Sequence, residues 1–66
     1  MNVTINGEAR DVPAGATVAD AVLSLTNATS GIAVAVNDEV IRRSAWEATE
    51  LTEQDKIEVL TAVQGG

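Results

Sequence analysis

The stretch that decides the fold is the beginning of the chain, MNVTINGEARDV (residues 1–12). Met1, Val3 and Ile5 alternate with polar residues, which predicts a strand with one buried face. Asn6-Gly7 follows, the pair that most favours a two-residue hairpin turn, because both turn positions need a positive φ. Residues 8–12 are therefore predicted to return as a second, antiparallel strand.

The charges of this second strand conflict with the face that it should bury. A two-residue turn places Glu8 opposite Ile5, Arg10 opposite Val3 and Val12 opposite Met1. Either a bulge shifts the register, or Arg10 lays its aliphatic stem over the edge of the core. Charged side chains are typical of an edge strand, where they discourage pairing with other sheets.

A short helix is predicted after Pro13-Ala14-Gly15, which ends the second strand. Thr17 is the expected N-cap, with Asp20 close to the positive helix end. Asn27 to Gly31 should end the helix, and Leu23 lies off its apolar stripe and should be exposed. The stripe follows the i, i+3, i+4, i+7 spacing and consists of Val18, Ala21, Val22 and Leu25.

The second half of the chain contains strand patterns and one helical turn. Ile32 to Val36 is continuously apolar, as expected of a buried strand, and Val40-Ile41 forms a short strand after a turn. Ser44 and Glu47 have capping-box spacing, which predicts one helical turn. Trp46, the single aromatic residue, lies on that turn and is interpreted as a packing anchor.

The last predicted strand, residues 57–62, follows a turn at Glu53-Gln54-Asp55 and alternates so that Leu60 and Ala62 lie on the face away from the helix. This order of elements indicates a two-layer α+β domain of four to five strands, with one main helix on one face of a mixed sheet. The first and last strands are expected to pair in parallel at its centre.

Composition excludes several functional classes. The 66 residues lack His and Cys, so there is no imidazole base, thiolate nucleophile, disulfide or soft metal site. A net charge of −6 disfavours binding to nucleic acid. The longest apolar stretch is too short to span a membrane, and the start of the chain resembles no signal peptide, so we expect a cytoplasmic protein.

The acidic residues and the basic pair have ordinary structural interpretations. Surface turns and strand edges explain the carboxylates, because a domain of this size offers little cleft in which a catalytic carboxylate could form. These carboxylates are Glu47, Glu50, Glu53, Asp55 and Glu58. Arg42 is interpreted as a solvated turn residue, whereas for Arg43 a solvated position and a contact with a partner protein are equally well supported.

The segment Gln64-Gly65-Gly66 has a specific chemical use. Glycine has no side chain, so such a tail can enter a narrow channel and present its carboxylate to the active site of another protein. The carboxylate can attack the α-phosphate of a nucleotide to form an acyl-adenylate, from which a sulfur donor displaces AMP. A thiocarboxylate results, and no cysteine in the chain is required.

The whole chain, residues 1–66, resembles the ThiS family, the sulfur carriers of bacterial thiamine biosynthesis. The similar segments lie in the same order along the chain: Val3-Thr4-Ile5-Asn6-Gly7, Ala33-Val34-Ala35-Val36-Asn37, Val40-Ile41 with Arg43 and Trp46, Asp55-Lys56-Ile57-Glu58-Val59, and Ala62-Val63-Gln64-Gly65-Gly66. The resemblance implies a ubiquitin-like β-grasp fold, which agrees with the predicted elements, as a single domain with a flexible tail at 64–66.

The resemblance also implies the chemistry and the partners. Gly66 is expected to be adenylated by a ThiF-type enzyme, which uses ATP, and then converted to a thiocarboxylate by a sulfur donor protein. Thiazole synthase, ThiG, is expected to receive the sulfur. Gly65 and Gln64 would enter both partner sites. The chain would thus be a co-substrate without a bound cofactor or metal, and not an enzyme.

Two positions depart from the family pattern. Members often carry proline where Arg42 stands, so the strand end before Trp46 is expected to be less rigid. Many carry glycine where Gln54 stands, so Gln54 is expected to be strained if its turn needs a positive φ.

A docking surface is predicted beside the tail, with Leu60 as its anchor and Ala62, Val63, Ile41 and Arg43 extending it. Two other functions remain open at this stage. One is a related sulfur carrier, such as the small subunit of molybdopterin synthase. The other is a noncovalent binding module on the same fold. Activity with each acceptor enzyme, and tolerance of a blocked tail, would distinguish them.

Overall fold

A computed structural model describes residues 1–26 and 31–61 of the chain. These residues form a sheet of five strands with one short α-helix packed on one face. In chain order the elements are β1 (Asn2–Ile5), β2 (Glu8–Asp11), α1 (Val18–Leu23), β3 (Ile32–Val36), β4 (Glu39–Ile41), a 3₁₀ helix (Arg43–Ala48) and β5 (Lys56–Thr61).

The first hairpin forms in the predicted register. Val3 pairs with Arg10 and Ile5 with Glu8, without a bulge. Asn6 and Gly7 both have positive φ, at 52° and 84°, as the two-residue turn requires. Of the two explanations for Arg10, the uninterrupted register excludes the bulge, and the side chain of Arg10 is half-buried beside Glu8.

The strand order β2-β1-β5-β3-β4 places the last strand at the centre of the sheet. β5 pairs in parallel with β1 and antiparallel with β3, as expected for the first and last strands. β4 is antiparallel to β3 and therefore runs in the same direction as β5. The direction matters because the end of β4 and the end of β5 then lie at one end of the sheet.

Helix α1 begins at the predicted N-cap and ends earlier than expected. The Oγ1 atom of Thr17 accepts a hydrogen bond from the Asp20 N–H, and the Asp20 carboxylate accepts one from the Thr17 N–H, which completes a capping box. The helix stops at Leu23, so the prediction that Asn27 to Gly31 end it was wrong. Leu23 is exposed, as expected.

The core lies between α1 and one face of the sheet. Trp46 is only 7% exposed, and its indole N–H donates to the carbonyl of Ile41 over 3.0 Å, which confirms its role as a packing anchor. Leu51 also packs in this core. The remaining buried core residues are Val3, Ile5, Ala16, Val18, Ala21, Val22, Val34, Ile57 and Val59.

Three other predictions need correction. The capping box at Ser44 is absent, because the 3₁₀ helix begins at Arg43 and has no side-chain cap. β3 is not buried on both faces: Val34 is buried, whereas Ala33 is exposed. The sequence of β3 is continuously apolar because the residues on its open face are the alanines Ala33 and Ala35. Asp55, interpreted as a solvated surface carboxylate, is buried.

Candidate functional site

The site that the sequence predicts is the end of β5 and the segment that follows it. β5 alternates as expected: Ile57 and Val59 are buried against the core, whereas Leu60 is 69% exposed. Thr61 is the last described residue of the strand. The predicted functional residues Ala62, Val63, Gln64, Gly65 and Gly66 lie outside the described residues.

An apolar patch covers part of the open face of the sheet, the face away from α1. Leu60 is the Cα partner of Ala33 in β3, and both are exposed. Ala35, two residues further along β3, pairs with Val40 in β4, which is 76% exposed. These four residues, Leu60, Ala33, Ala35 and Val40, are called the open-face patch below. Glu58, the Cα partner of Ala35 in β5, adds a carboxylate to the rim of this patch.

Ile41 does not belong to this patch, contrary to the prediction. It pairs with the buried Val34 and is therefore on the face that packs against α1. Side chains alternate between the two faces of a strand, so Val40 is exposed where Ile41 was expected to be. The prediction assigned the two faces of β4 the wrong way round. Two adjacent apolar residues, Val40 and Ile41, do not show by themselves which of them faces the core.

A shallow groove runs along the end of the patch. It is lined by Gly31, Ile32 and Ala33 on the side of β3 and by Leu60 and Thr61 on the side of β5. The groove borders the point where the chain continues into residues 62–66. An apolar side chain of another protein seated there would contact the chain next to the root of the tail.

Arg43 lies at the same end of the sheet. It follows β4, which runs parallel to β5, so it leaves the sheet at the end where β5 reaches Thr61. The guanidinium carbon is 5.3 Å from the centroid of the Trp46 ring, a distance at which a cation is attracted to the aromatic face. The contact holds this exposed positive charge against the buried indole.

The opposite end of β5 is held by a hydrogen-bonded carboxylate. Asp55 accepts hydrogen bonds from the Thr52 N–H at 2.7 Å, from the Thr52 hydroxyl at 2.8 Å and from the Asn37 side-chain amide at 3.0 Å. Burial alone would raise the pKa of Asp55, but the bonds from Thr52 and Asn37 outweigh it and lower the pKa below the ordinary value of 3.8.

The geometry of the Asp55 carboxylate indicates a structural role. Its oxygens are occupied by donors of the same fold, and within residues 1–26 and 31–61 no three Asp, Glu, His or Cys side chains cluster so as to bind a metal. The role of Asp55 was not predicted, although its spacing of three residues from Thr52 is typical of a side chain that closes its own turn. No α-helix of the described part of the chain is long and apolar enough to cross a membrane.

The fold and the exposed end of its central strand define a class of protein, the ubiquitin-like β-grasp domain. Comparison with known proteins gives the family. The sequence profile of the ThiS family matches residues 3–66, and the chain belongs to this family. That membership confirms the expected family and its ubiquitin-like β-grasp fold.

The proteins that are similar to the chain include a ThiS protein of known structure and a thiazole synthase. The crystal structure of a thiamine biosynthesis protein (ThiS) from Geobacter metallireducens superposes with a TM-score of 0.79, at 32% identity and with 100% of both chains covered. A thiazole synthase of Magnetococcus marinus is 35% identical over 66 residues, which are 100% of this chain and 20% of that protein. The chain therefore spans about a fifth of the length of this relative.

Proposed function

We propose that the protein carries sulfur as a thiocarboxylate on Gly66, for use in forming the thiazole of thiamine. The observation that carries the proposal is the family match over residues 3–66, which extends through Gly65-Gly66. In this proposal the chain is a co-substrate, and the catalytic groups belong to its partner enzymes. ATP is bound by the activating partner and not by the chain itself.

The chemistry consists of two substitutions. A carboxylate oxygen of Gly66 attacks the α-phosphorus of ATP, and the bond to pyrophosphate breaks, which gives an acyl-adenylate. A sulfur donor protein then releases sulfur at the oxidation level of sulfide (HS⁻), which attacks the carbonyl carbon and loses its proton, and AMP leaves with the electron pair of the broken C–O bond. One oxygen of the carboxylate has been replaced by sulfur, and the resulting thiocarboxylate is a nucleophile.

The composition of the tail suits this role. Gly65 and Gly66 have no side chains, so their backbone fits a narrow channel that leads to the nucleotide. Gln64 precedes them and would occupy the entrance of that channel. A ThiF-type enzyme and thiazole synthase would each bind the same segment, one to load the sulfur and one to receive it.

The open-face patch is proposed as the surface by which these partners hold the domain. Leu60 is large, exposed and adjacent to the groove at the root of the tail. Together with the other residues of the patch it forms a contiguous exposed apolar surface, and such surfaces mark sites at which other proteins bind. Arg43 would add a charged contact at the same end of the sheet, to a carboxylate of the partner. Ala62 and Val63 would continue the surface into the tail.

A thiazole synthase partner has one further support. The relative from Magnetococcus marinus is named a thiazole synthase, and the region similar to this chain forms 20% of it. A carrier domain within the protein that uses its sulfur is consistent with the transfer proposed here. The match to the ThiS family favours this acceptor over molybdopterin synthase.

Reconstitution tests the proposal. The protein is mixed with ATP and a ThiF-type enzyme, and exchange of labelled pyrophosphate into ATP is measured. Exchange that depends on the chain is expected. Addition of a sulfur donor and of either thiazole synthase or precursor-loaded molybdopterin synthase should then consume the thiocarboxylate only with thiazole synthase. Absence of exchange, or consumption only by the molybdopterin enzyme, would contradict the proposal.

A further inference from the structure

β5 has a complete backbone neighbour on one side only. β3 pairs with it from Ile57 to Thr61. On the other side, β1 pairs with it at Lys56 and Ile57 and then ends at the hairpin. Beyond Ile57, the described residues provide no further strand on the side of β1. The last part of the central strand is therefore an open edge, at the place where the chain continues towards Gly66.

The side chain of Asn6 takes the place of the missing strand. Its Oδ1 accepts a hydrogen bond from the Val59 N–H at 2.8 Å, and its Nδ2 donates to the Val59 carbonyl at 3.2 Å. A carboxamide has the donor and the acceptor of a peptide group, so it can satisfy both backbone groups of one residue. The backbone N–H of Asn6 also donates to the Ile57 carbonyl at 2.9 Å.

Asn37 provides an internal comparison, because it has the same conformation at the other end of β5. Both asparagines occupy the first position of a two-residue turn, with φ of 52° for Asn6 and 51° for Asn37. Asn37 accepts a hydrogen bond from the Lys56 N–H and donates to the Asp55 carboxylate, each at 3.0 Å. Thr52 also bonds to Asp55, so that end does not depend on Asn37 alone.

We propose that Asn6 is a positioning residue for the sulfur-carrier reaction. By holding both backbone groups of Val59 on the side that β1 leaves open, it restrains the last part of β5, from which the chain continues towards Gly66. The inference rests on the proposed function, since it assigns to Asn6 the orientation of the segment that bears Gly66. Asn37 holds β5 in a similar way but at the end away from that segment.

Binding of the domain to its partner and delivery of the Gly66 carboxylate to the nucleotide depend on different residues, so kcat and KM should respond differently to a change at Asn6. The open-face patch does not include Asn6. Removal of the Asn6 side chain should therefore leave the docking contact intact, and KM with it. A less restrained strand end lowers the fraction of bound molecules in which the carboxylate reaches the nucleotide, which lowers kcat. We expect Asn6→Gly to reduce kcat for adenylation by about tenfold, with KM changed less than about twofold.

The experiment compares Asn6→Gly with the matched control Asn37→Gly. Glycine retains the positive φ at both turns and removes only the side chain. Hydrogen exchange of the backbone amides is measured together with adenylation by a ThiF-type enzyme. In Asn6→Gly the Val59 amide should exchange at least about tenfold faster. In Asn37→Gly the Lys56 amide should exchange faster, while kcat stays at the wild-type value.

A second variant guards against a folding defect. Asn6→Asp keeps the size of the side chain and the acceptor for the Val59 N–H but places an oxygen against the Val59 carbonyl. It should also lower kcat, by less than Asn6→Gly. Equal losses of kcat in Asn6→Gly and Asn37→Gly, or an unchanged Val59 amide in Asn6→Gly, would overturn the inference. If the wild-type protein is not adenylated, the proposed function fails, and the exchange data still test the clamp.

Discussion

The two ends of β5 differ in how they are held and in what surrounds them. At its beginning, a buried carboxylate, a threonine and an asparagine form a connected set of hydrogen bonds around Asp55. At its far end, one side chain, Asn6, holds Val59, and Leu60 is exposed next to a groove. The first arrangement stabilises the fold. The second leaves the strand accessible to another protein.

In the proposed function, one strand is both the centre of a small core and the support of the segment that carries sulfur. The hydrogen bonds around Asp55 lie at the end of β5 away from Thr61. The end that leads into residues 62–66 keeps an open edge and an apolar surface. Variants at the two ends should therefore divide into those that change the free energy of unfolding and those that change reactions with partners.

The largest effect is expected from one alanine added after Gly66. The added residue displaces the carboxylate from the nucleotide, so pyrophosphate exchange should fall by more than about a hundredfold. The free energy of unfolding, followed by the fluorescence of Trp46 in urea, should not change. Full sulfur transfer by the lengthened chain would show that the reactive group is not the Gly66 carboxylate.

The next effect concerns the opposite end. Asp55→Asn places an amide nitrogen against donors from Thr52, and a buried donor without an acceptor costs about 1–3 kcal/mol. Urea unfolding should show this loss, while kcat and KM for adenylation of the folded protein remain unchanged. A folded Asp55→Asn protein with wild-type stability would mean that these hydrogen bonds do not hold the strand.

The pH dependence gives an independent measure of the same carboxylate. The pKa of Asp55 is lowered in the folded protein, so its ionised form stabilises the fold above the unfolded pKa of about 3.8. This stabilisation is lost as the pH falls through the folded pKa. The difference in unfolding free energy between wild type and Asp55→Asn should therefore shrink below about pH 4. A difference that is independent of pH would contradict the assignment.

Leu60→Glu tests the open-face patch. A charge at the anchor of the surface should raise KM for adenylation by about tenfold, and the exposed position should leave stability within about 0.5 kcal/mol. Leu23→Glu is the matched control, because Leu23 is 65% exposed and lies on α1, on the other side of the sheet. Equal kinetic changes in the two variants would exclude a specific docking role for Leu60.

The smallest effect is expected at Gln54, which has a φ of 71°. A left-handed conformation costs a residue with a side chain about 1–2 kcal/mol, part of which glycine loses again through its greater freedom in the unfolded chain. Gln54→Gly should therefore stabilise the protein by about 0.5 kcal/mol. Gln54→Ala, which keeps the strain, should not. Stabilisation by both variants would point to another cause.

Local sequence patterns predicted the frame of the molecule well. Asn6-Gly7 determined the register of the first hairpin, Thr17 and Asp20 the start of the helix, and the alternation of β5 the exposure of Leu60. The positive φ of Gln54 agrees with the expectation drawn from the glycine that many family members carry there. Each of these features depends on residues that are close together in the sequence.

The features that were missed depend on distant residues. The bond from Asn6 to Val59 spans 53 positions, and the bond from Asn37 to Asp55 spans 18. An asparagine in a turn has the same local pattern whether or not its side chain reaches another strand. The inward orientation of Ile41 follows from its pairing with Val34, which no short segment reveals.

The central claim is that sulfur is carried on the Gly66 carboxylate, and the intact mass of the protein isolated from cells tests it most directly. We predict that a fraction of the protein is heavier by the difference between one sulfur and one oxygen atom, and that fragmentation assigns this difference to Gly66. Sulfur located at another residue, or its absence from protein that is active in the complete pathway, would contradict the account.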